Sequence, residues 1–69
     1  MYDEKKVAEG LKAFRLSQKK RQEDIANILE INKASVSRWE SGENQPTIEN
    51  LWKLADHFGV TVDALIGRE

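Results

Sequence analysis

The sequence predicts an all-α domain of five short helices. Apolar residues recur at spacings of three and four along the whole chain, and no run alternates as a half-buried strand would. Residues that cap helices (Asp3, Asn32, Thr47, Thr61) and glycines that stop them (Gly42, Gly59, Gly67) punctuate the same pattern. The 69 residues are 39% hydrophobic and 33% charged, with a single proline. That composition folds rather than stays disordered, and the length sets the expectation of one domain over 1–69.

The first helix is expected from Asp3 to Leu16. Asp3 caps it, and Val7, Leu11 and Phe14 share one face. The polar run Ser17-Gln18-Lys19-Lys20-Arg21 contains the turn. A second helix covers Gln22 to Leu29, with Glu23 and Asp24 in the first turn, where the helix dipole favours negative charge. Ile25, Ile28 and Leu29 form its buried stripe, and Ala26 offers a small contact surface. Glu30-Ile31-Asn32 is a tight connection. Asn32 caps a third helix, Lys33 to Ser41, whose only large apolar residues are Val36 and Trp39. Gly42 ends it in a left-handed conformation. Thr47 caps a fourth helix through Phe58, with Ile48, Leu51, Trp52, Leu54, Ala55 and Phe58 as a broad apolar surface. Trp39 and Trp52 are expected in the core or at its rim. Thr61 caps a short fifth helix carrying Val62, Leu65 and Ile66, closed by Gly67.

Several function classes drop out. With no cysteine there is no disulfide scaffold or thiolate metal site, and one histidine, His57, cannot build a histidine metal centre. Ser35 and Ser37 lack the base and acid that nucleophilic catalysis needs, so no enzyme and no cofactor are expected. No apolar run approaches the ~20 residues of a membrane span. Met1 to Lys6 carries Asp3 and Glu4 without an apolar stretch, unlike a secretory signal, and the expected setting is cytoplasmic, beside the nucleoid.

Net charge is −1 and conceals a polarity. Residues 12–38 hold seven cations against three carboxylates, +4, whereas residues 39–69 hold two against six, −4. The basic stretch coincides with the least apolar helix. A helix whose surface is mostly small and polar is poorly explained as a core element. It suits a helix that lies outside and offers side chains to a polar partner, and lysine, serine and arginine are types that meet phosphates and base edges.

At this point the sequence resembles the lambda-repressor/Cro-like helix-turn-helix domains of transcriptional regulators. Five segments carry the resemblance in order. Leu11-Lys12-Ala13-Phe14-Arg15 is similar to the family's end of helix one, and Gln22-Glu23-Asp24-Ile25-Ala26 to its Q-x-x-L-A opening of helix two. Ile31 to Glu40 matches its turn and recognition helix. Glu40-Ser41-Gly42-Glu43-Asn44-Gln45-Pro46 matches E-x-G-x-x-x-P, and Leu54 to Leu65 matches L-A-x-x-L-G-V-S-x-D-x-L.

The resemblance implies a compact five-helix fold with the helix-turn-helix at about 22–41, and it implies site roles. Lys33, Ala34 and Arg38 would face base edges in the major groove. Gln22 would touch a phosphate or an edge base, and Asn32, Ser35 and Ser37 the backbone or outer bases. Ser41, Glu43 and Asn44 lie where backbone amides approach phosphate. Arg15 and Glu40 occupy the positions of a buried ion pair, with no DNA role. Lys19, Lys20 and Arg21, just before helix two, would add sequence-independent attraction. Arginine is suited to bidentate contact with guanine, and Ala34 to a thymine methyl. Two departures matter. Glu30 stands where the family often has glycine. Lys19-Lys20 replaces a common Gly-Leu, which would let helix one run longer with the Lys20 stem on the core.

The expected function is sequence-specific binding of double-stranded DNA by a transcriptional regulator of phage or bacterial type, a repressor. A homodimer would read a palindromic operator, pairing through Phe58 to Ile66, where Val60 and Val62 strain the capacity of so small a core. The alternative is a protein-binding module, such as the antitoxin of a toxin–antitoxin pair, whose acidic half holds a partner.

Overall fold

A computed structural model describes residues 2–68; Met1 and Glu69, the ends of the expected domain, lie outside the described residues. Five helices follow one another: α1 (Glu4–Ser17), α2 (Gln22–Leu29), α3 (Lys33–Ser41), α4 (Ile48–Phe58) and α5 (Val62–Leu65). There is no strand among the described residues.

Local chemistry explains each helix start. Asp3, Asn32, Thr47 and Thr61 accept hydrogen bonds from backbone N–H groups of the first turns of α1, α3, α4 and α5, satisfying donors that have no partner inside the helix. At α2 the N-cap is Arg21, whose side chain cannot accept. The Asp24 carboxylate instead reaches back and accepts from the Arg21 N–H at 2.8 Å. That bond holds the Asp24 carboxyl below the usual carboxylate value, aided by the Arg21 side chain and the charges of Arg21 and Lys20.

The helix ends share one device. A residue in the left-handed region follows each helix or its last turn: Lys19, Glu30, Gly42, Gly59 and Gly67. The next N–H then folds back onto a carbonyl five residues earlier, as from Ile31 to Ala26 at 3.0 Å and from Glu43 to Arg38 at 3.0 Å. Glu30 takes this conformation at φ 57°, ψ 45° with a side chain that does not favour it.

The core comprises Val7, Leu11, Ile25, Ala26, Leu29, Val36, Trp39, Leu51, Leu54 and Leu65. Phe14 and Phe58 meet edge-to-face at its margin, with ring centroids 5.2 Å apart. Val60, Val62 and Ile66 pack half-buried against it. Gly10 lets α1 approach the turn after α5, because a Cβ there would overlap the Ile66 carbonyl oxygen.

Three expectations need correction. Trp52 is 64% exposed and Ile48 is 73% exposed, so neither joins the core. They lie four residues apart at the edge of the buried face of α4, beside Ala55, and both remain mostly exposed. Helix one does not extend toward Lys20. It ends at Ser17, Lys19 turns the chain at φ 57°, and Lys20 is exposed.

Candidate nucleic-acid interface

Helix α3 buries one side and shows the other. Val36 and Trp39 enter the core, and Glu40 faces inward beside them. Lys33, Ser37, Arg38 and Ser41 are exposed, and Ala34 is half-buried. These five residues span about 140° of the helix circumference. Ser35 differs: it lies half-buried about 60° beyond that arc, toward Trp39. Asn32 sits just ahead, exposed, with its Oδ1 accepting from the Ala34 N–H at 2.8 Å; both protons of its amide nitrogen remain for a partner. The Ser41 hydroxyl is also engaged, donating to the Arg38 carbonyl at 3.1 Å.

The loop after α3 returns to the helix end. Both Glu43 N–H and Asn44 N–H donate to the Arg38 carbonyl, at 3.0 and 3.2 Å. Asn44 is exposed there. The same loop brings the Glu43 carboxylate 3.9 Å from Arg38 Nε. Arg21, at the other end of the surface, pairs with Glu23 at 3.4 Å and Asp24 at 3.5 Å. Lys19, Lys20 and Lys33 have no carboxylate that close among the described residues. On this surface the unneutralised cations are therefore lysines, and Arg21 and Arg38 stand beside carboxylates of their own chain.

Arg15 and Glu40 meet as a bidentate pair, 2.7 Å from Nε to Oε2 and 3.0 Å from Nη2 to Oε1, with side chains 11% and 6% exposed. The hydrogen bonds to Glu40 raise the Arg15 pKa, against the opposing effect of burial. Gln22, the first residue of α2, is half-buried, and its Nε2 donates to Glu40 Oε1 at 3.1 Å. Two of these contacts were not legible in the sequence. Nothing in the spacing links Gln22 to Glu40, eighteen residues away, and Glu43 reaches Arg38 only because Gly42 reverses the chain.

The order and geometry of α2 and α3, two short helices joined by three residues and closely packed, define a helix-turn-helix. The helix-turn-helix family matches residues 11–65. The chain belongs to that family. The helix-turn-helix domain is 40% identical over 63 residues to the transcriptional repressor RstR of the cryptic phage CTXphi in Vibrio cholerae, covering 91% of this chain and 56% of that protein. It is 34% identical over 61 residues to the transcriptional activator BcrR of Enterococcus faecalis, covering 88% of this chain and 30% of the relative. Among solved structures, a transcriptional regulator from Listeria innocua superposes with a TM-score of 0.79 at 33% identity, over 88% of this chain and 57% of that one. The chain thus spans little more than half of these relatives, or less. All three are named as regulators of transcription, and this chain matches them over its helix-turn-helix domain. Among the described residues, no helix is long and apolar enough to cross a membrane.

Proposed function

We propose that this domain binds duplex DNA sequence-specifically by laying α3 in the major groove, as the reading head of a cytoplasmic transcriptional repressor rather than of an enzyme. One observation carries the reading: the outer face of α3 presents Lys33, Ala34, Ser37 and Arg38 together, backed by a single buried ridge. Arg38 and Lys33 read base edges, and Ala34 supplies apolar contact. Gln22 and Asn32 flank that face and donate amide protons to phosphates or outer bases. Ser35 serves from beyond its edge, and Ser41 and Asn44 approach the backbone. Lys20 and Arg21 lie on the chain entering α2 and add attraction independent of sequence.

A homodimer fits the uncovered apolar flank. Trp52, Val60 and Val62 line one shallow groove between α4 and α5, next to the 58–66 segment. Two copies paired there would set their α3 helices on half-sites about 34 Å apart. The same exposed flank supports the second reading, a toxin-like protein held by the acidic half. Selection from a random duplex library decides between them. A palindromic consensus supports the repressor dimer, a single half-site supports a monomeric reader, and no enrichment overturns DNA binding. Sedimentation of the chain with and without the selected duplex then reads the stoichiometry.

A further inference from the structure

Glu40 belongs to α3 but turns inward, and its two oxygens carry three hydrogen bonds. Oε2 accepts from Arg15 Nε, and Oε1 accepts from both Arg15 Nη2 and Gln22 Nε2. The remaining Arg15 nitrogen, Nη1, donates to the Lys20 carbonyl at 2.9 Å. One ion pair thereby fastens α1, α3, the turn that enters α2 and the first side chain of α2.

The chemistry of that last contact is selective. A carboxylate only accepts hydrogen bonds, so it holds the nitrogen branch of the Gln22 amide and rejects the carbonyl branch. The nitrogen carries two protons. One goes to Glu40 Oε1, and the other has no partner among the described residues. A backbone phosphate also only accepts. It needs that second proton, and a Gln22 amide turned over would offer it a carbonyl oxygen instead. A charged acceptor also makes the stronger, more directional bond, so the amide is oriented before DNA arrives.

We infer that Glu40 is a positioning residue for the DNA backbone: by holding one amide proton of Gln22 it presents the other to a phosphate. The Arg15–Glu40 pair is then more than a brace for the core, because it sets affinity for duplex DNA through Gln22. The inference rests on the DNA-binding reading and adds to it a specific coupling between residues 22 and 40.

A double-mutant cycle tests it, with duplex affinity read by fluorescence anisotropy on the selected site and the folded fraction of each variant read by circular dichroism. Gln22→Ala is expected to weaken binding about fivefold to tenfold in the unaltered chain. In a Glu40→Gln background the same change is expected to cost less than about twofold, because a carboxamide both donates and accepts and no longer selects the amide branch. Leu65→Ala, which opens a cavity at a fully buried site in α5, must leave the Gln22→Ala effect at full size. Equal losses in the unaltered and Glu40→Gln backgrounds overturn the inference. Should Glu40→Gln not fold, the pair Arg15→Met with Glu40→Met replaces it with the same expectation, since apolar side chains of similar length can fill the site of a buried ion pair and no carboxylate is left to select the amide branch. Side-chain amide NMR reads the contact without DNA. The two Gln22 proton signals are expected to stand well apart and to converge in Glu40→Gln; unchanged signals overturn the inference. Converging signals in a chain whose unaltered form binds no duplex overturn the DNA-binding reading itself, and the inference with it.

Discussion

Arg38 stands between two claims on its guanidinium. Its side chain is 47% exposed on the outer face of α3, yet Glu43 lies 3.9 Å from Nε. An exposed pair at that distance is weak, so a guanine edge can displace Glu43. Arg38→Ala is expected to cost about 1–3 kcal/mol of binding and to relax preference at one base pair, read by repeating the duplex selection with the variant. Its melting temperature should hardly move, because the cap of α3 uses the Arg38 carbonyl, which alanine retains. Asp24 gives a second, pH-dependent prediction. Its pKa is lower folded than unfolded. Its contribution to stability is therefore present above the ordinary carboxyl value near 4 and fades as pH falls through the lowered value. Urea melts between about pH 5 and pH 2 should show a shallower acid loss for Asp24→Asn than for the unaltered chain.

At the scale of elements, the helix ends set opposite signs for two glycine exchanges. Glu30 ends α2 at φ 57° and is exposed. Glu30→Gly is expected to stabilise by up to about 1 kcal/mol, the relieved left-handed strain less the added freedom of the unfolded chain. Gly10 lies inside α1, where alanine would ordinarily gain about 1 kcal/mol. Here its Cβ would strike the Ile66 carbonyl, and α1 would have to move off the α5 turn. Gly10→Ala is expected to destabilise by about 1–3 kcal/mol. Thermal melts of the two variants check both signs. The extents of α2 and α3 were legible because Asn32 and Gly42 are strong local signals. The end of α1 was less so, because its stop at Lys19 is made without glycine.

At the scale of the whole molecule, a net charge of −1 must still allow binding to a polyanion. The basic stretch does not act as seven free cations. Arg15 is spent on Glu40 inside the fold, Arg21 on Glu23 and Asp24, and Arg38 on Glu43 at the rim. What remains toward the interface is Lys19, Lys20 and Lys33, a small set. Affinity for the selected duplex is expected to fall by at most about fortyfold between 50 and 200 mM salt, the response of about three phosphate contacts. A titration series in salt measures the slope. A flat response would sink the phosphate contacts. The radius of gyration, 10.6 Å, is close to the roughly 11 Å of a folded domain of this length, so the helices close around one core.

The sequence by itself determined the elements and their order. Caps, stop residues and apolar spacing are local, and each acts within a turn or two of where it stands. It also determined which side of α3 is bare, because only Val36 and Trp39 on that helix are large and apolar. Tertiary structure alone decided matters that depend on a neighbour from elsewhere in the chain. Trp52 and Ile48 have the chemistry of core residues, yet they stay mostly exposed, because the core closes on Leu51 and Leu54 of the same helix. Gly10 looks like a weak point in a helix and is instead the site of a close crossing. Gln22 reads as a lone polar residue at a helix start, and folding sets it on Glu40. Burial and hydrogen-bond partnership are properties of pairs distant in sequence, and no local pattern encodes them.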